Sequence, residues 1–158
     1  MTQRSATITA PSTLRVGRRE DIDSLVILEN QSFSGDRLSR RGLLRMLTGT
    51  AHAVLLVAER QGQIVGYGAV LLRQGTQLAR LYSLAVAAEV RGLGIGAALL
   101  TALEQATLEK GRHRLRLEVR VDNAAALTLY RNRGYVLIGR IEGYYEDDTA
   151  AWRMERCL

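Results

Sequence analysis

The amino-acid sequence predicts the mixed α/β (α+β) class, with a single mixed, mostly antiparallel sheet of six to seven strands and helices on both faces. Three observations carry this expectation. Strand-like and helix-like patterns alternate through the middle of the chain, with hairpin-like strand pairs towards both ends. An apolar strand ends at Val86 and, after a short polar link, three alternating glycines (Gly92, Gly94, Gly96) lead into a long amphipathic stretch. The 158 residues, 47% hydrophobic and 24% charged, suffice for one well-buried core.

Taken in order, residues 1–12 read as a flexible leader ending near the only proline, Pro11, and 13–158 as one domain. Thr13 to Arg18 is a short strand. Asp21 caps a helix with Ile22, Leu25, Val26 and Leu28 on its apolar face. Gln31 to Arg37 is a loop, and Ser39 caps a second helix with Leu43, Leu44 and Leu47 inward, closing at Gly49. Ala53–Glu59 and Ile64–Leu72 flank the turn signal Gln61-Gly62 and should pair as a hairpin. Gln77 to Val86 is the next strand.

A helix from Gly96 to Lys110 ends at Gly111 as a glycine C-terminal cap would end it. Arg114 to Val119 alternates basic and apolar residues, as a strand with one wet face does. Asp122 or Asn123 caps a last helix, Ala124 to Arg133, and Gly134 ends it. Tyr135–Ile141 and Ala150–Cys157 are two closing strands, joined by the loop from Glu142 to Thr149.

Composition narrows the function. The net charge of +6 and pI near 10.1 suit an anionic partner. The basic residues are dispersed and aromatic content is only 5%, which argues against DNA or RNA as the primary partner. No apolar run approaches the roughly 18 residues of a membrane span, and the N-terminus lacks a signal-peptide core. A cytoplasmic protein, monomeric or homodimeric, is expected. One cysteine, Cys157, leaves neither an internal disulfide nor a metal cluster, so no metal is expected.

Glycines at a strand-to-helix junction let backbone N–H groups and the positive helix end approach a phosphate. A P-loop is excluded, because Ala97 follows Gly96 where a lysine is required. Gly92, Gly94 and Ala97 satisfy a dinucleotide fingerprint literally, with Glu118 as its acidic residue. However, Glu89-Val90-Arg91 separates strand from glycines, and the 40 residues after Glu118 are too few for a doubly wound sheet. The remaining pattern is Arg/Gln-x-x-Gly-x-Gly/Ala, met by Arg91, Gly94 and Gly96.

At this motif the chain resembles the GCN5-related N-acetyltransferase (GNAT) superfamily. The resemblance extends upstream through Leu81-Tyr82-Ser83-Leu84-Ala85-Val86 and downstream through Leu117 to Ala126, Leu129-Tyr130, Gly134-Tyr135 and Tyr144 to Asp148. These segments are similar to bacterial ribosomal-protein N-alpha-acetyltransferases and to N-terminal acetyltransferase catalytic subunits. The resemblance implies the acyl-CoA N-acyltransferase fold, with acetyl-CoA as acetyl donor. It also implies that backbone groups of Leu84, Ala85 and Val86 pair with the pantetheine arm. The pyrophosphate would rest on backbone N–H groups of Arg91, Gly92, Leu93, Gly94, Ile95, Gly96 and Ala97, with the Asn123 side chain on the cofactor arm.

Acetyl transfer to an amine needs a neutral amine and a proton for the departing thiolate. Glu118, in the alternating strand, is the candidate base, which the resemblance also implies; a carboxylate paired with Arg116 or Arg120 is the alternative. Glu29, closing the first helix, is a second candidate. Tyr130 lies seven residues after Asn123, two helical turns on, so both project from one face. It is the candidate acid. The resemblance places Tyr144 and Tyr145 along a peptide groove, with Phe33 on the opposite wall. The segment Asp36 to Arg41 is more basic and longer-looped than in the ribosomal enzymes. The acceptor expected is a protein α-amine or a lysine. A small amine, or a non-catalytic acyl-CoA-binding module, are the competing readings.

Overall fold

The computed structural model describes residues 12–49 and 52–158, so all of the expected leader but residue 12 lies outside the described residues. In chain order the elements are β1 (Thr13–Val16), α1 (Ile22–Ser32), α2 (Arg40–Leu47), β2 (Ala53–Arg60), β3 (Gln63–Leu72) and β4 (Leu78–Val86). There follow α3 (Ile95–Glu109), β5 (Arg114–Arg120), α4 (Ala124–Asn132), β6 (Val136–Ile141) and β7 (Ala151–Cys157). The seven strands form one sheet in the order β1-β2-β3-β4-β5-β7-β6. Every neighbouring pair is antiparallel except β4 with β5.

Local chemistry accounts for most element boundaries. Gln61 and Gly62 both adopt positive φ (51° and 74°), as a two-residue hairpin turn of matching twist requires, and β2 pairs β3 across them. Ser39 Oγ accepts from Gly42 N at 3.0 Å and starts α2; Asn123 Oδ1 accepts from Ala126 N at 3.1 Å and starts α4. Several ends move by one or two residues, β1 stopping at Val16 and β5 reaching Arg120. Asp21 precedes α1 without a side-chain capping bond, its carboxylate taken by Arg15 and Arg18 N. Helix α1 continues through Gln31 to Ser32, where a loop was expected, and α3 begins at Ile95 rather than Gly96.

Each face of the sheet has its own core. On one side α1 and α2 place Leu25, Leu28 and Leu43 against Leu55, Val57, Tyr67 and Ala85. On the other, α3 places Leu99, Leu100 and Leu103 against Ala58, Val70, Leu81 and Leu115. Leu103 is fully buried, and its Cδ1 occupies the space above Gly68, where an added Cβ would come within 2.5 Å of it. Leu103→Ala therefore opens a void that Gly68 cannot fill. It should lower the unfolding free energy by about 3 kcal/mol, measured by denaturant titration.

The sheet is not continuous. β4 and β5 pair only through Leu78↔Arg114, Ala79↔Leu115 and Arg80↔Arg116. Beyond that point β4 follows β3 as far as Val86, while β5 follows β7 as far as Arg120. A bulge helps to part them. Ala69 pairs with Ser83 and Val70 with Leu81, so Tyr82 is the extra, unpaired residue of β4. Such an insertion bends its strand and re-aims a side chain.

Candidate active site

A cavity of about 520 Å3 occupies the gap between β4 and β5. Leu81, Tyr82, Ser83 and Leu84 line it from β4, and Leu117, Glu118, Val119 and Arg120 from β5. The α1–α2 loop and the β6–β7 loop meet across it, where Glu146 N donates to Asp36 Oδ2 at 3.2 Å.

At one end of the gap stands the N-terminus of α3. Gly94 is its N-cap with φ +82°, a left-handed conformation that a side chain would strain. No side chain caps the helix, and its first internal bond is Ala98 N to Gly94 O at 3.0 Å. The N–H groups of Ile95, Gly96 and Ala97 thus have no intrahelical acceptor. Packing does not demand glycine at residue 96, where an added Cβ would meet Val86 and Leu129 only at 3.7 and 3.8 Å. The bare backbone there suits an outside anion. Arg91 turns back, its Nε donating to Val86 O at 3.2 Å, so that carbonyl is already engaged.

Of the five carboxylates that line the cavity, Glu118 and Glu29 lie on its β5 and α1 walls, in different surroundings. Glu118 projects from the face of β5 opposite to Leu117 and Val119, as the alternation predicts, but its side chain is only 5% exposed and its partners are neither Arg116 nor Arg120. Arg80 Nε donates to Oε2 at 2.9 Å, and Arg153 donates to Oε1 through Nε at 3.2 Å and Nη2 at 3.1 Å. Arg116 turns instead to Glu155, and Arg120 to Asp122 and Asp147, whereas Arg153 sits directly opposite Glu118 on β7. Both Glu118 oxygens are committed to guanidinium groups.

Glu29, only 2% exposed at the end of α1, is held differently. Its Oε2 accepts a short hydrogen bond from the Tyr67 hydroxyl and lies 3.4 Å from Ser83 Oγ. Its Oε1 accepts from Leu38 N at 3.2 Å. Burial pushes its carboxyl above the ordinary glutamate value, opposed by the donors from Tyr67, Leu38 and Ser83 and by the charge of Arg37.

Tyr130 and Asn123, on one face of α4, both line the cavity. Burial pushes the Tyr130 phenol well above its usual value, and its ring meets Tyr135 edge-on at 5.7 Å. Asn123 Oδ1 is occupied as the α4 cap, which leaves its amide N–H2 for any cavity ligand. Phe33 lines the opposite wall. The tyrosine pair divides: Tyr145 lines the cavity under the guanidinium of Arg120, 4.9 Å from its ring centre. Tyr144 turns instead to Arg80, which donates to its hydroxyl at 2.5 Å.

Sequence reasoning missed three residues here: Tyr82, Tyr67 and Ser83. The bulge that exposes Tyr82 is a property of β3–β4 register, and strand alternation gives no sign of it. Among the described residues no group of histidine, cysteine and acidic side chains is placed to hold a metal ion, and no helix is long and apolar enough to cross a membrane.

Comparison with known proteins agrees with this geometry. The acetyltransferase (GNAT) family matches residues 22–135. A Bacillus subtilis protein provisionally named a ribosomal-protein-alanine N-acetyltransferase is 31% identical over 137 residues, 87% of this chain and 89% of that one. The N-alpha-acetyltransferase RimI of Mycobacterium tuberculosis is 32% identical over 152 residues, covering 94% of each chain. Among solved structures, Ard1 from Thermoplasma volcanium superposes with a TM-score of 0.83 at 27% identity, over 93% of this chain and 97% of that one. Sheet order, cavity and sequence lead to one assignment: the chain belongs to the GNAT acetyltransferase family and is an N-acetyltransferase.

Proposed function

We propose that the protein moves the acetyl group of acetyl-CoA to the N-terminal α-amine of a polypeptide in the cytoplasm. The observation that carries this reading is the gap between β4 and β5, which runs from an uncapped helix N-terminus to two carboxylates and a buried tyrosine. The pyrophosphate is held by the N–H groups around Gly94, Ile95, Gly96 and Ala97, with Arg91, Gly92 and Leu93 forming the loop before them. The pantetheine arm lies along Leu84, Ala85 and Val86, on the edge that β5 leaves unpaired, the Val86 carbonyl being held by Arg91. The Asn123 amide faces the same arm.

An α-ammonium, titrating near pH 8, must lose a proton before its nitrogen can attack. Glu29 takes that proton. Its partners are two hydroxyls and a backbone N–H, and its burial raises its basicity, whereas both oxygens of Glu118 are held in ion pairs with Arg80 and Arg153. Glu118 instead fixes the wall that carries Tyr144. The amine nitrogen then bonds to the thioester carbon as the carbon–sulfur bond breaks. The Tyr130 phenol, held in its protonated form by burial, gives its proton to the departing sulfur and is restored by the remaining extra proton of the nitrogen, leaving a neutral amide and a free thiol. Asp36 and Glu146 line the cavity and favour a cationic acceptor, while Asp147 is paired with Arg120. Phe33 and Tyr145 flank its first residues.

The full-length similarity to an N-alpha-acetyltransferase supports an α-amine over a lysine side chain or a small amine. The test is thiol release from acetyl-CoA with three acceptors: a peptide with a free α-amine, the same peptide α-blocked but containing lysine, and a polyamine. The free peptide is expected to turn over at least tenfold faster than either. Faster turnover of the polyamine would overturn the acceptor. In the same assay Gly96→Val should raise the KM for acetyl-CoA at least tenfold with an unchanged melting temperature, because its side chain crowds the N–H cradle.

A further inference from the structure

Tyr67 is the one polar member of an otherwise apolar cluster. It is fully buried on β3 among Leu25, Leu28, Leu43, Val57 and Ala85. A phenylalanine would fill that space equally well, so the hydroxyl has a task other than packing. Its single proton goes to Glu29 Oε2; Ser83 Oγ lies 3.0 Å from the phenol oxygen and gives its own proton to the same carboxylate oxygen at 3.4 Å. The three groups come from α1, β3 and β4 and meet beside the cavity, which Glu29 and Ser83 both line.

A carboxylate offers about four acceptor positions. Tyr67 and Ser83 engage those of Oε2, and Leu38 N takes one on Oε1. One position remains, on an oxygen whose rotation is blocked by the other three. We infer that Tyr67 is a positioning residue for acetyl transfer: with Ser83 it locks the Glu29 carboxylate so that its single open lone pair receives the proton of the acceptor amine. This rests on Glu29 being the base. Tyr67 does not itself touch the substrate, since its ring is fully enclosed.

The same hydrogen bond tunes the base. Burial alone would hold Glu29 protonated to higher pH; the donors from Tyr67, Leu38 and Ser83 and the guanidinium of Arg37 from the α1–α2 loop draw it back down. Removing the Tyr67 hydroxyl takes away a donor to the ionised form, so Glu29 must become harder to ionise. The acid limb of kcat/KM then moves to higher pH.

The experiment is the pH profile of kcat/KM for acetyl transfer to the α-amine peptide by wild type, Tyr67→Phe, Ser83→Ala and Glu29→Gln. In Tyr67→Phe the acid limb is expected to rise by about one pH unit. At a pH on that limb kcat/KM then falls roughly tenfold and recovers as pH is raised, with KM for acetyl-CoA unchanged. Ser83→Ala should move the limb the same way by less, and stands in if Tyr67→Phe does not fold. Recovery with pH separates tuning from structural damage, which raising the pH does not repair. An unmoved limb in Tyr67→Phe beside an inactive Glu29→Gln overturns the positioning role and leaves the base assignment standing. Wild-type activity in Glu29→Gln overturns the base itself, and the positioning role with it.

Discussion

Glu29→Gln should lower kcat by two to four orders of magnitude while the protein still folds and binds acetyl-CoA. That is the range a positioned general base contributes. Glutamine keeps the shape and can still accept from Tyr67, but it cannot take a proton at working pH. The residual rate should rise with pH as the free amine becomes deprotonated in solution, so the deficit narrows towards pH 9. Glu118→Gln is the informative partner. Because Arg80 and Arg153 already engage that carboxylate, its neutralisation should disturb the wall and the acceptor KM more than kcat. Equal collapse of kcat in Glu118→Gln, with Glu29→Gln near wild type, would return the base to β5. The acid limb of the wild-type profile should lie above the usual carboxylate range, since burial raises the Glu29 carboxyl.

An effect on stability as large as that of Leu103→Ala is expected at Glu104, far from the chemistry. Its carboxylate is buried under α3 and accepts from Tyr135 at 3.0 Å, from Arg156 at 2.7 Å, and from Arg133. Those donors come from β7, from the residue before β6 and from the end of α4. One side chain therefore ties three elements to the back of α3. Glu104→Ala leaves two guanidiniums and a phenol without their common acceptor. Loss of one partner of a buried ion pair costs about 3–5 kcal/mol. Both arginines are about one-third exposed and can recover some hydration, which places the expected loss near 3 kcal/mol. In a chain of this size that is a fall of roughly 6–12 °C in Tm, readable by calorimetry. A shift below 2 °C would show that water replaces the carboxylate at no cost.

How much of this was legible in the sequence follows how local each feature is. The Gln61-Gly62 hairpin, the Ser39 and Asn123 caps and the glycine junction before α3 are each decided within a few residues, and each is where the pattern puts it. The two-sided core was legible from periodicity. The partners of the site's carboxylates were not. Tyr67 is 38 residues from Glu29, and Arg80 and Arg153 are 38 and 35 residues from Glu118. Only strand order and register bring them together. Strand alternation placed Glu118 on the correct face, but within one strand it suggested Arg116 and Arg120. The register with β7 chose Arg153. Asn123 shows the opposite limit: its capping role is fully local, and it engages the side-chain oxygen while leaving the amide N–H2.

The three-rung pairing of β4 with β5 also makes this a sheet with a missing ladder. Backbone groups along Leu81–Val86 on one side and Leu117–Arg120 on the other have no strand between them. In the proposed binding mode the donor arm would supply the absent strand from outside, so that ligand and fold would share one set of hydrogen bonds. Occupancy is then a stabilising term in its own right, worth about 2.7 kcal/mol at a hundredfold excess over Kd. The amides flanking the gap should exchange with solvent more slowly as acetyl-CoA is titrated in. The rigidity of the folded sheet thus becomes a gauge of how much acyl donor surrounds it.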